Sequence, residues 1–283
     1  MKPRSNIEWQ RWAKDDPLYG IDSMPGRHRT GPNPWTPSEF YEHGAQRWSE
    51  YLPVWQRYGL NRDSCLEIGC GAGRITRQLV QFFESVYGVD VVREMLELAQ
   101  RNVAGAKFIL ADGVTIPLPE NSVSAVFSCE VFQHFDDRAI ALGYFSEIHR
   151  VLRTGGTCMI HLPIVILPLQ RIMPVMGTVQ EMLWHMTERW VRAKSNIKRW
   201  LISHRNRRAF FWMMQYDPEW LLANLSRIGF LDIEVCLVAV TGIPGHKEVG
   251  SFLFARKPEW VKVLGSLRVA LHPGTVTGLI SIC

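Results

Sequence analysis

The sequence is short of the features that mark several protein classes. Its six cysteines, Cys65, Cys70, Cys129, Cys158, Cys236 and Cys283, are scattered over 283 residues, and no two form a Cys-x-x-Cys pair. That spacing argues against a zinc site and against a disulfide framework. Cysteines in apolar, strand-like runs serve as small buried hydrophobes, and a reducing compartment suits them. A long apolar run is also missing. The most apolar stretch, 160–169, is cut by Pro163 and Pro168, whereas a bilayer span needs about 20 residues. The polar start, 1–16, carries no apolar stretch ahead of a small-residue cleavage site, so no secretory signal is expected. A soluble, cytoplasmic chain is the expectation. Charge of one sign is not in large excess either. The net +5 is too small to name a partner by itself.

What is present is a globular composition, with 47% apolar residues, enough for a substantial core. Residues 1–37 are rich in Pro, Gly and charge and read as an irregular arm. Residues 38–58 read as a helix that Ser38 can cap, with Phe40, His43, Trp48, Tyr51 and Leu52 at roughly helical spacing. Strand and helix signals then alternate. Strands are expected at 64–68, 85–89, 106–110, 123–128 and 157–162, with helices through about Phe83, over 93–102 and over 137–152. Such alternation implies a parallel sheet with right-handed crossovers. After Pro163 only helical signals remain up to about Gln215. A helix over 218–228 and strands over 231–240 and 250–255 follow. The short link between these last two strands makes them antiparallel.

The strongest local signal is Leu66-Glu67-Ile68-Gly69-Cys70-Gly71-Ala72-Gly73, which ends a strand and opens a helix. Glycines permit a sharp turn and close approach of a ligand, at the carboxyl end of the first strand, where open α/β sheets bind ligands. The spacing is G-x-G-x-G, not the G-x-G-x-x-G of dinucleotide sites. Glu67 sits just before the first glycine. A carboxylate there suits an ammonium or sulfonium and does nothing for a phosphate. Asp90 ends the second strand 19 residues after Gly71, where an acid can accept both ribose hydroxyls. Asp112 follows the third strand, placed to reach an adenine amine.

With these residues in view, the stretch from about Asn61 to Pro163 closely resembles class I S-adenosylmethionine-dependent methyltransferases with a type 11-like domain. The matching motifs are the glycine loop, Gly88-Val89-Asp90, Ala111-Asp112, Glu130-Val131-Phe132-Gln133-His134, and Arg150-Val151-Leu152-Arg153-Thr154-Gly155-Gly156. The resemblance reaches to about Lys257, with an insertion at 164–215. It implies an α/β, doubly wound, seven-stranded and mostly parallel sheet whose last strand is antiparallel. It also implies S-adenosylmethionine as the cofactor. The donor set so implied is Glu67, Gly69, Gly71, Gly73, Asp90, Val91, Met95, Ala111, Asp112, Gly113, Glu130 and Gln133. Three positions depart from the common pattern: Val92, Ser124 and Thr154 stand where many relatives have Ser, Asp and Pro. None of them removes a donor-binding group.

The organisation expected is an arm and helix at 1–60 on the acceptor side, a donor-binding core at 61–163, a helical lid at 164–215, the rest of the sheet at 216–258 and an appendage at 259–283. His134, after the fourth strand, is the first candidate for a general base, because histidine titrates near neutrality. His161, at the end of the fifth strand, is the second. No metal is expected. Acceptor choice should lie outside the common core. The basic, Trp-bearing segment 184–212 reads as a lid helix, as a surface for anionic lipid, or as a nucleic-acid contact. Nucleic-acid bases are disfavoured, since Ser128-Cys129-Glu130-Val131 matches neither adenine-amine nor cytosine-carbon methyltransferases. The expected acceptor is a small molecule such as a sugar, lipid or secondary metabolite, with oxygen as the first choice of accepting atom. Two rival readings are a catalytically silent methyltransferase-like binding module and a nicotinamide-dependent oxidoreductase.

Overall fold

A computed structural model describes residues 3–164, 213–241, 247–263, 267–270 and 280–282. The strands of the main sheet are β1 (Ser64–Ile68), β2 (Ser85–Asp90), β3 (Ala106–Leu110), β4 (Val123–Ser128), β5 (Leu152–His161), β6 (Leu231–Thr241) and β7 (Lys247–Arg256). Their order is β6-β7-β5-β4-β1-β2-β3. Strands β1 to β5 pair in parallel, and β7 runs antiparallel to both β5 and β6. The seven-stranded, doubly wound sheet is therefore as expected. The tail adds to it. Strand β10 (Ile280–Ile282) pairs in parallel with β6 as an eighth strand, and β8 (Trp260–Val263) with β9 (Leu267–Ala270) forms a separate hairpin.

Helices cover both faces because side chains alternate across each strand. On one face Trp48, Tyr51 and Trp55 of α3 (Pro37–Tyr58) pack with Leu79 of α4 (Thr76–Phe82) onto Ala125 and Phe127. On the other, Phe145 and Ile148 of α6 (Arg138–Val151) and Leu221 and Leu225 of α7 (Pro218–Ile228) meet Val123 and Val126. α5 (Arg93–Asn102) follows β2. Ser124 laces β4 to β1 where an Asp is more usual: its hydroxyl accepts from the Ser64 N–H at 2.9 Å and donates to the Ser64 carbonyl at 2.8 Å.

Three local expectations need correction. The first part of the arm at 1–37 is helical, with α1 (Arg4–Asp15) and α2 (Pro17–Ile21), and 22–36 is irregular as expected. The first N–H groups of α1 find their acceptor in Asp136, far along the chain, so a local reading misses the cap. α3 is capped by Thr36 rather than Ser38, in a reciprocal box with Glu39. Cys65, Cys70, Cys129 and Cys158 are free thiols, but Cys236 is disulfide-bonded, which its isolated spacing did not suggest. Among the described residues no helix is long and apolar enough to cross a membrane. The segment 184–212, and the lid and lipid readings of it, lie outside the described residues.

Candidate active site

The parallel strands β1, β2 and β4 end side by side, and their following loops enclose one cavity. Counted out to its open mouth it holds about 1010 Å³, room for a ligand of cofactor size. Glu67, Gly69, Gly71, Asp90, Val91 and Met95 line it, with Ala111, Gly113, Glu130 and His134. Nine of the twelve expected donor residues therefore converge, although they are spread over more than sixty positions of sequence.

The glycine loop is held by the end of β2. The N–H groups of Gly69 and Cys70 both donate to the Val89 carbonyl, at 2.8 and 3.1 Å. Gly69 (φ +71°) and Gly71 (φ +52°) are left-handed, a conformation that costs other residues energy. Space is closed as well: a Cβ at Gly69 would sit 2.2 Å from Val131 Cγ2, and one at Gly71 2.8 Å from Ile21 Cδ1. Gly73 has a different role. It is off the cavity wall, and its missing side chain lets the loop pack on Val103 and Ala99.

Asp90 is tied to that loop. Gly71 N–H donates to its Oδ2 and Val92 N–H to its Oδ1, each at 2.9 Å. A carboxylate has about four lone-pair sites, so capacity remains for a ligand. Burial raises the Asp90 carboxyl above its ordinary value, against the pull of those N–H donors. Glu67 is 4% exposed, and Thr76 donates its hydroxyl to Glu67. Burial pushes Glu67 up to about 8; the Thr76 bond and the Arg74 charge pull it down, and Asp90 adds a small push. In the ligand-free protein at neutral pH this acid is largely protonated. A cation placed beside it reverses that. A sulfonium-bearing amino acid thus suits the acids present, and the glycine cradle has no room for side chains.

Other predicted residues are placed less directly. The Asp112 carboxylate accepts from Val114 N–H, Thr115 N–H and the Thr115 hydroxyl, at 2.7, 2.7 and 3.0 Å, so it closes its own turn, and only its neighbours Ala111 and Gly113 face the cavity. The Gln133 carbonyl accepts from Met214 N–H at 2.7 Å; its side chain lies against His134, with Nε2 atoms 3.2 Å apart, and is not on the cavity wall. His134 is on the wall, in the short 3-10 turn Phe132–His134. His161 is not. It lies under Phe252, ring centroids 5.2 Å apart, and burial lowers it below its ordinary value.

Several wall residues have no counterpart in the sequence reading. Asn6 and Trp9 of α1 and Ile21 of α2 close one side. The Asn6 amide donates to the Asp112 carbonyl at 3.4 Å, and the Trp9 ring meets His134 edge-on at 5.1 Å. The arm is pinned by Asp22, which pairs with Arg74 and with His43. Burial pushes Asp22 up, but the two partners outweigh it and hold it low, at about 2. Phe135, Ile140 and Tyr144 supply apolar wall. An Asp22-Arg74 contact across 52 residues leaves no local trace in sequence. The local signals in the arm were the helical spacing of Trp9 and Trp12 and the cap-and-proline pair Asp16-Pro17.

Residues 66–160 match the methyltransferase domain family. Cycloartenol-C-24-methyltransferase of Arabidopsis thaliana is 31% identical over 144 residues, 42% of each chain. Malonyl-[acyl-carrier protein] O-methyltransferase of Serratia marcescens is 31% identical over 97 residues, 34% of this chain and 37% of that one. The chain thus spans less than half the length of these curated relatives. The fold is shared with magnesium protoporphyrin IX methyltransferase of Synechocystis PCC 6803, at a TM-score of 0.53 and 13% identity, covering 89% of this chain and 99% of that one. The motif residues gathered on one cavity, the sheet order and these matches agree: residues 66–160 form a class I S-adenosylmethionine-dependent methyltransferase domain.

Proposed function

We propose that the chain transfers the methyl group of S-adenosylmethionine to an oxygen atom of a small-molecule acceptor. The observation that carries this reading is the pair of buried acids, Glu67 and Asp90, facing one glycine-floored cavity. When bound, S-adenosylmethionine supplies a methyl group already activated on a sulfonium. Asp90 would hold the ribose hydroxyls on its remaining lone pairs. Glu67 would offset the positive charge of the amino-acid end. Val91, Ala111, Ile140 and Tyr144 offer apolar wall for a flat adenine ring. Asp112 contributes its position and its turn, since its carboxylate is occupied locally.

What the chain must add is alignment, worth roughly 7–11 kcal/mol when the geometry is right. For a hydroxyl acceptor a base gains a further 10²–10⁴-fold. His134 is the imidazole on the wall, and Trp9 fixes its ring from the side. In this reading His134 takes the proton of the acceptor hydroxyl, and helices α1 and α2 keep water from the donor. A small-molecule acceptor suits a cavity of about 1010 Å³ counted out to its mouth. Incubation of the full chain with methyl-labelled S-adenosylmethionine and a fractionated cell extract tests the reading. Label should enter the small-molecule fraction, and Asp90→Ala should abolish it. Label confined to nucleic acid or protein, or no transfer from any fraction, would contradict it.

A further inference from the structure

Beside the donor cavity lies a second polar group that the donor does not use. It is built on one face of α3, where Gly44, Arg47 and Tyr51 follow one another at helical spacing and are buried. Gly44 leaves room for Arg74: a Cβ there would lie 2.6 Å from Arg74 Cγ. Tyr51 accepts a hydrogen bond from Cys129 Sγ at 3.8 Å, and Cys129 lines the donor cavity. Tyr51 and His161 both pack at a tilt against Phe252, with centroids 4.8 and 5.2 Å away. Arg47 and His161 thus belong to one nest behind the wall residues Cys129 and Glu130, which it meets through the Cys129–Tyr51 contact and the Glu130 charge.

Two guanidiniums sit in this nest, and they are treated differently. Arg74, 5% exposed, pairs with Asp22 and, at 3.3 Å, with Glu130. Arg47, 7% exposed, makes no hydrogen bond or ion pair among the described residues, and its Nε is buried without a partner. Burial works against its charge, but Tyr51 and Glu130 outweigh that and keep it a cation. Glu130 gives its oxygen to Arg74 rather than to Arg47. His161 Nδ1 is likewise buried without a partner, and burial keeps that ring neutral, so it can donate one N–H. Buried cations are normally paired, and a guanidinium fork matches the two oxygens of a carboxylate or phosphate.

We propose that Arg47, with His161 beside it, anchors an anionic oxygen group, a carboxylate or a phosphate, carried by the methyl acceptor. The acceptor is then a small acid or a phosphorylated small molecule. Its anchored end lies against α3 and β5, and its reacting atom lies toward the wall of Glu130 and His134. This inference rests on the methyltransferase reading for the word acceptor, but the oxyanion site itself does not.

The test is thermal unfolding of the full chain in acetate, inorganic phosphate or chloride at equal ionic strength, each with and without S-adenosylhomocysteine. The variants are Arg47→Met and Arg47→Lys. Acetate or phosphate should raise the wild-type Tm by about 3 °C over chloride, and which of the two does so names the group. Arg47→Met should lose that shift while unfolding no earlier than wild type, because an unpaired buried cation is replaced by an apolar side chain of similar length. Arg47→Lys should keep a reduced shift. Absence of any anion shift in the wild type, a full shift retained in Arg47→Met, or early unfolding of Arg47→Met as a packing residue would each overturn the site. An anion shift without a shift from S-adenosylhomocysteine would overturn the acceptor role through failure of the donor reading.

Discussion

The two sides of the site are built on opposite terms. On the β1–β2 side the polar groups that shape the cavity are already engaged: Asp90 by two backbone N–H groups, Glu67 by Thr76, and Arg74 by two carboxylates. On the α3–β5 side Arg47 Nε and His161 Nδ1 are buried without a partner. The first side is a preorganised cradle for a ligand of fixed chemistry, whose few remaining lone pairs are aimed at it. The second leaves its donors for a ligand the chain does not supply. Variation in an enzyme's acceptor fits the second kind of wall and not the first.

The comparison can be broken most forcefully at Asp22. Asp22→Ala strips Arg74 of its nearest carboxylate and leaves it only Glu130, at 3.3 Å. Breaking such a buried pair costs about 3–5 kcal/mol, so urea unfolding should show a loss of that order. Arg47→Met should show none. Equal losses would erase the distinction. Next in size is the rigidity of the cradle. Gly69→Ala adds a Cβ at a left-handed position 2.2 Å from Val131 and should destabilise the fold by about 2–4 kcal/mol, measured in the same way. A near-neutral result would mean the loop is adaptable.

A smaller effect sharpens the electrostatics. The folded Glu67 lies at about 8, above its ordinary 4.5. Between those values the native state binds more protons than the unfolded one, so stability falls as pH rises from about 4.5 to 8 and levels off above. Glu67→Gln should flatten that slope in pH-dependent denaturation of the ligand-free protein. An unchanged slope would place the titration elsewhere. The same acid predicts that a cationic ligand binds more tightly as pH rises toward 8. The smallest effect belongs to the arm. Trp9→Ala removes the ring that meets His134 and should speed dissociation of S-adenosylhomocysteine by a few-fold in stopped-flow measurements, with little change in Tm.

These contrasts also explain what the sequence could convey. Strands β1 to β7 follow from alternating apolar runs and punctuating glycines, and Asp90 follows from its distance to Gly71. Both are local or fixed by a repeated fold geometry. α1 escaped because its cap, Asp136, is a tertiary partner, as is the arm's tether, Arg74; α2 is five residues long, with a local cap in Asp16. Asp112 was placed correctly along the chain, but its carboxylate satisfies backbone groups within three residues, a competition that spacing does not reveal. Arg47 escaped for a subtler reason. It falls on the same helical face as Phe40 and Tyr51, and an arginine there reads equally well as one whose stem covers the core while its head reaches water. Only burial without a partner separates the two.

The central claim is that the cradle selects S-adenosylmethionine-type ligands through Asp90. Isothermal titration of the full chain with S-adenosylhomocysteine, with NAD as the control, tests it most directly in wild type and Asp90→Ala. The account predicts binding of S-adenosylhomocysteine but not NAD, weakened about 100-fold or more in Asp90→Ala by loss of charge-assisted hydrogen bonds. Equal affinity for NAD, or an Asp90→Ala variant that binds as tightly as wild type, would contradict it.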